Sequence, residues 1–307
     1  RCVCDVVCIN DHHHNHRPHL HQIYGNRRPR MSTAFSKRQK AGQRVVNIAA
    51  GAALLYIFVP IFVIVLFSFN EPKGKYNIKW QNFTLDNWAH PFVEKELTSA
   101  LWVSLRIALI ATIVSTLLGT LIAMSLSRYK FKASGAVNLF LVLPLTAPEI
   151  VLGSSLATLF LNRSVGFGYL TVIIAHVMFQ ISFVAVTVRA RIRGFDWTLE
   201  QAAQDLGATP SRAFWKVTFP LILPGIMAAA LLSFALSVDD FIITFFNAGS
   251  LVTFPLQIFG ASRVKISPQI NVLASMLLFT SVALMAGAMV LTRRRENRHA
   301  SVARKKS

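Results

Sequence analysis

Hydrophobic residues in this chain come in long blocks separated by shorter polar segments. Six blocks stand out, at about residues 45–69, 101–126, 134–161, 169–188, 221–246 and 270–291. Roughly 20 apolar residues in helical rise cross about 30 Å of hydrocarbon, the thickness of a bilayer core. Each block therefore predicts a membrane-spanning helix. The fold class expected is an all-α membrane protein with six transmembrane helices. Pro144 and Pro148 interrupt the third block.

Composition agrees with the pattern. Of 307 residues, 53% are hydrophobic and 15% charged, against about 25% charged in a soluble domain. The charges also sort by side. Lys37, Arg38, Lys40 and Arg44 precede the first block, and Arg128, Lys130 and Lys132 follow the second. Arg189, Arg191, Arg193, Arg212 and Lys216 lie between the fourth and fifth, and Arg293, Arg294 and Arg295 follow the sixth. With six spans all of these share one face, which the positive-inside rule makes cytoplasmic, together with both termini. In the first loop of the other face, Lys73, Lys75, Lys79 and Lys95 are balanced by Glu71, Asp86, Glu94 and Glu96. The formal charge of +19 reads as topology and contact with anionic membrane lipid. Nucleic acid is not an expected partner, because no soluble module with a basic face is visible.

Residues 1–30 differ from the rest. They hold all three cysteines, Cys2, Cys4 and Cys8, and the run DHHHNHRPHLH. Thiolates and imidazoles suit zinc or copper, but the spacing fits no standard zinc module. The expectation is that 1–30 is an extension foreign to the fold, that the native start is Met31, and that the chain binds no metal. Residues 31–44 then form a basic lead-in. Residues 45–99 hold the first span and an external loop, 100–291 the transmembrane core, and 292–307 a basic tail. No G-x4-G-K-[ST] occurs, so no nucleotide phosphate is held in a P-loop and no cofactor is expected in this chain.

The loop 196–220 is polar, basic and on the cytoplasmic face. Its part 200–220 reads EQAAQDLGATPSRAFWKVTFP, with two alanines, three residues, Gly207, nine residues, then Val217-x-Phe219-Pro220. This resembles the EAA loop (EAA-x3-G-x9-I-x-L-P) of the membrane subunits of binding-protein-dependent ABC importers. LPLTAPEIVLGSSL (143–156), LTVIIAHVMFQISFVAVTVRARI (170–192), LSVDDFIITFF (236–246) and SPQIN (267–271) resemble the spermidine/putrescine permeases of the PotC type. The resemblance implies a MetI-like permease fold in the cell's inner membrane. It also implies a homologous second permease, two ATPase subunits carrying ATP and Mg, an external substrate-binding protein, and polyamine as cargo. Carried onto this sequence, it makes Glu200, Gln201, Ala202, Ala203, Asp205 and Gly207 the ATPase-coupling residues. The family's glutamate directly before the alanine pair is Gln201 here, so if that charge pairs with a basic group on the ATPase, coupling here uses Glu200 or is weaker. Gly207 suits a left-handed helix end, with Pro210 stopping continuation.

The second set is acidic. Glu149, Asp239 and Asp240 are the only carboxylates within the spans, where an ionised group costs roughly 3 kcal/mol on insertion scales. Helical rise places Asp239 about 27 Å and Glu149 about 20 Å from the cytoplasmic ends of their spans. Carboxylates there, with the ring of Phe241 and with Phe245 and Phe246 nearby, fit a path for a flexible polyamine cation. Bonding to backbone or to a partner subunit is the alternative for each acid. His176 reads as a hydrogen-bonded packing residue. Another small cargo, such as an amino-acid derivative or metal chelate, remains open. The loop, and the lack of a detectable inverted repeat, argue against a secondary transporter. No clustered catalytic set suggests an enzyme.

Overall fold

A computed structural model describes residues 33–129 and 132–304. The cysteine- and histidine-rich segment 1–30 lies outside the described residues, and with it the expectation of a foreign extension. The helices are α1 (Thr33–Phe67), α2 (Asp86–Ala89), α3 (Lys95–Arg128), α4 (Ser134–Thr146), α5 (Glu149–Asn162) and α6 (Tyr169–Ile192). They continue with α7 (Thr198–Asp205), α8 (Pro210–Ala213), a π-helical turn (Phe214–Thr218), α9 (Phe219–Val238), α10 (Ile242–Asn247), α11 (Phe254–Ser262) and α12 (Pro268–Arg304). Among the described residues there is no strand, only two isolated bridges. Two compact units divide at Val59 and Pro60. The first is, in its described part, helix from Thr33. The second holds the remaining helices and both candidate sites.

Among the described residues, five helices are long and apolar enough to cross a membrane. The third expected span is instead a pair, α4 and α5, bent by 109°. The cause is local. A residue before proline is driven to extended geometry, and Ala147 before Pro148 sits at φ −73°, ψ 138°. Pro148 then starts α5 without needing an amide hydrogen of its own. The fifth expected span, 221–246, is also not continuous: α9 ends at Val238 and a new short helix begins at Ile242.

α3, α6 and α9 form the centre of the second unit. Ala123, Val184, Val188, Ile222 and Ala229 make one buried cluster there. Close approach depends on glycine at two points. A Cβ on Gly119 would lie 2.7 Å from Val184, and one on Gly225 would lie 2.6 Å from the Arg191 side chain. Small residues at crossings are the usual device where both lipid and protein are apolar. Midway along, Ser115 Oγ lies 3.1 Å from Gln180 Oε1 and 2.9 Å from Ser233 Oγ, and Ser233 donates to Gln180 Oε1 at 2.8 Å. This buried cluster ties one residue of each helix together, at about 1 kcal/mol per bond in lipid. The loop between α1 and α3 is held by asparagines. Asn70 donates to Asn77 and to the Lys79 carbonyl, while Asn87 donates to the Asn70 carbonyl.

Candidate functional site

The alanine–glycine loop folds as a helical hairpin. Asp196 accepts the Thr198 amide at 3.0 Å at the entry to α7. That bond holds its carboxyl below the usual carboxylate range. At the far end of α7 the Ala208 amide reaches back to the Ala203 carbonyl (3.0 Å) and the Gly207 amide to the Gln204 carbonyl (2.8 Å). This is the paired closure of a left-handed helix end. Gly207 has φ +87°, a conformation that glycine adopts without steric cost. Thr209 then caps α8, accepting the Arg212 amide, with Pro210 at the first position of the helix. The glycine and proline expected to punctuate the loop therefore do so. The π-helical turn and α9 follow, with Pro220 entering in the first turn of α9.

The faces of the hairpin are now visible. Gln201, Ala202, Asp205 and Gly207 are exposed, and Ala203 is half-buried. Glu200 differs from the expectation. It is 3% exposed and turns inward, away from any docking partner. Arg128 at the end of α3 donates to one of its oxygens at 2.6 Å, and Thr218 donates to the other at 2.7 Å. The Arg128 guanidinium also lies 5.7 Å from the Trp197 ring centroid. The reason is its register: one position before Gln201, Glu200 falls on the face of α7 that packs on α3 and the π-helical turn. Each carboxylate oxygen thus has a partner within the chain. What the loop does offer is Leu206, 90% exposed. A large apolar side chain with nothing to pack on, set between Asp205 and Gly207, was the available sequence signal for a docking contact.

Glu200 is thus an anchor for the loop. Hydrogen bonds to charged groups contribute about 1.5–3 kcal/mol, less here because Arg128 is partly exposed. Glu200→Ala is expected to raise amide exchange over 198–205 by about tenfold, or about 1.4 kcal/mol, with protection in the middle of α3 unchanged. Unchanged exchange over α7 would assign the anchoring to the Phe195 and Trp197 packing alone.

At the opposite end of α9 the acids are placed unequally. Asp240 is turned into the protein. Its Oδ2 accepts the Thr244 amide at 2.8 Å and the Thr244 hydroxyl at 2.7 Å, and lies 3.2 Å from His176 Nε2. Asp239 is exposed, and among the described residues it makes no ion pair. It lines a groove of about 650 Å³ with Phe241, Phe259 and otherwise mainly apolar side chains of α9, α11 and α12. The Phe241 and Phe259 rings lie 4.9 Å apart. Arg263 covers one face of Phe259, 4.6 Å from its centroid.

Glu149 is exposed at the first position of α5, where the helix dipole favours a carboxylate. α5 packs on α10 through Gly153, where a Cβ would lie 3.0 Å from Phe246. Phe245 is exposed and stacks at an angle with Phe241. Phe259, Ser237 and Thr244 were not anticipated: the fold brings Phe259 into the groove with Asp239 and brings Ser237 and Thr244 to His176.

A family model described as "Binding-protein-dependent transport system inner membrane component" matches residues 115–298. The chain is 34% identical to the spermidine/putrescine transport system permease protein PotC of Haemophilus influenzae over 78% of its own length and 93% of the relative. It is 33% identical to PotC of Escherichia coli K12, covering 79% and 91% of the two chains. It is 35% identical to the putrescine transport system permease protein PotI of Escherichia coli K12, covering 76% and 85%. Among solved structures, a bacterial ABC transporter importing the acidic polysaccharide alginate shares the fold. Its TM-score is 0.59 at 14% identity, with 84% of this chain and 99% of that one covered. An amino acid ABC transporter matches with a TM-score of 0.53 at 18% identity, covering 69% and 100%.

Proposed function

The chain belongs to the family of inner membrane components of binding-protein-dependent transport systems, and from that premise we propose that it is a membrane-spanning subunit of an ABC importer for spermidine and putrescine. It works with a homologous second permease, two ATPase subunits that hold ATP and Mg, and an external binding protein. Both termini and the α7–α8 hairpin face the cytoplasm, as the basic loops favour. The chain itself does no bond chemistry. Closure of the ATPase pair moves the hairpin, which grips the partner through Gln201, Ala202, Asp205, Leu206 and Gly207. Glu200 ties the hairpin to α3 through Arg128 and to the foot of α9 through Thr218. The 20-residue α9 carries that displacement about 30 Å to Asp239.

The observation that carries the polyamine reading is the groove at the α9–α10 break. An exposed carboxylate without an ion-pair partner among the described residues, Asp239, lines the groove with the Phe241 ring. Spaced carboxylates and an aromatic face are what a chain of ammonium groups binds. Desolvating Asp239 without a cation would be costly, so the site is competent only when an amine or water is present.

The test is uptake of labelled spermidine by the complex reconstituted with its ATPase and binding protein. Unlabelled spermidine and putrescine are expected to compete, with ATP consumed, and unrelated amino acids and metal chelates are not. Competition by one of those and not by polyamines would transfer the proposal to that cargo.

A further inference from the structure

His176 touches both sides of the α9–α10 break. Its Nδ1 is 2.7 Å from Ser237 Oγ in the last turn of α9. Its Nε2 is 2.9 Å from Thr244 Oγ1 in α10 and 3.2 Å from Asp240 Oδ2 in the break itself. The ring is buried. With its proton on Nε2 every polar atom is used: Ser237 donates to Nδ1, Nε2–H points to Thr244 and Asp240, and Thr244 donates to Asp240.

A broken helix in a membrane has two defects. Backbone groups lose their partners, and the two halves lose the hydrogen-bond ladder that fixed their angle. Asp240 repairs the first by accepting the Thr244 amide and, at 3.4 Å, the Ile243 amide. His176 is built to repair the second. It projects from α6, which has no proline or glycine within Tyr169–Ile192 and buries Val172, Ala175 and Phe179 around the histidine. Its three partners are the residues that flank the break. A packing residue would need none of them.

We infer that His176 is a positioning residue: it staples the end of α9 to α10 and so sets the direction in which Asp239 and Phe241 face the groove. The consequence for cargo rests on the polyamine reading above, while the staple itself does not. A side chain of similar bulk without hydrogen bonds fills the space but lets the break swing.

The experiment uses the full complex in proteoliposomes, with Cys2, Cys4 and Cys8 replaced by serine and Phe241→Cys as a reporter. His176→Leu is expected to change the rate of thiol labelling at position 241 by at least about fivefold, and His176→Gln, which retains one donor, by less. An unchanged labelling rate in His176→Leu overturns the staple. The second readout is a double-mutant cycle in spermidine uptake per assembled complex, with Phe241 intact. His176→Leu alone is expected to lower uptake by at least about fivefold, and to add less than about twofold on the Asp239→Asn background, because both act through one carboxylate. Losses that multiply independently would assign His176 to general packing and overturn the inference. If Asp239→Asn by itself transports normally, the polyamine reading fails and the labelling rate alone decides the staple. Should His176→Leu not assemble, Ser237→Ala removes one arm of the same contact and is held to the same two outcomes.

Discussion

Gly207→Pro is expected to abolish polyamine uptake and substrate-stimulated ATP hydrolysis while the protein still inserts in the membrane. Two effects combine. Proline fixes φ near −65°, whereas Gly207 sits at +87°. Proline also removes the amide that bonds the Gln204 carbonyl at 2.8 Å. The turn cannot form, so the chain after Leu206 no longer folds back to set α8 (Pro210–Ala213) beside α7. Gly207→Ala isolates the conformational part, because a Cβ there meets nothing within 4 Å. Forcing an ordinary residue into the left-handed region costs about 1–2 kcal/mol, so a loss of about tenfold is expected from alanine. Ala203→Asp tests the other side of the hairpin by placing a charge on its half-buried face, with the same loss expected as for proline. The measurement is uptake together with ATPase activity, each normalised to inserted protein. Normal values of both in Gly207→Pro and Ala203→Asp would remove the hairpin from the coupling path.

Asp239→Asn is expected to lower spermidine uptake at least about tenfold per assembled transporter. Removing one partner of a desolvated charge pair costs about 2–5 kcal/mol, and about 1.4 kcal/mol is one decade. Asparagine keeps the size and hydrogen bonding of the side chain, so the loss reports charge. The neighbouring acid behaves differently. Asp240 is occupied by Thr244 and His176, so Asp240→Asn acts first on the amount of assembled complex. Glu149→Gln lowers uptake less than Asp239→Asn does, and more for spermidine than for putrescine if each carboxylate takes a separate amine. Uptake, quantity of assembled complex and basal ATPase rate, measured together, separate these outcomes. Normal transport per complex in Asp239→Asn and Glu149→Gln would make the acids scaffolding, and the polyamine reading would lose its chemical support.

Together the two variants probe the ends of one rod. The hairpin is fastened to α3 and to the foot of α9 by Glu200, and the groove opens where α9 stops. A defect at Gly207 severs the drive and leaves the groove intact. A defect at Asp239 leaves the drive intact and empties the groove of its charge. The first removes substrate-stimulated ATP hydrolysis, and the second leaves basal hydrolysis unchanged.

Hydropathy determined that the chain spans a membrane, because apolar length is a property of consecutive residues and needs no tertiary contact. It placed a helix in each of the six blocks, but α1 begins at Thr33, α12 runs on to Arg304, and the third and fifth blocks are each two helices. The loop at 196–220 was equally legible, since the left-handed turn at Gly207 and the stop at Pro210 follow from backbone sterics alone. Proline marked where the third block is interrupted, but not that the interruption is a 109° bend. That angle depends on what α5 packs against, namely α10 through Gly153. The break after Val238 had no proline or glycine to announce it. It is held by Asp240 and His176, which lie far apart in the chain and meet only when α6 packs beside α9. Direction was likewise a tertiary matter. Three acids of the same chemistry were visible, and the sequence treated Asp239 and Asp240 alike. In the folded chain one faces a groove and its neighbour caps a helix, because adjacent positions at a helix break point in different directions. Glu200 followed the same rule. Its charge was plain, but only the packing of α7 on α3 decided that Arg128, and not another subunit, receives it.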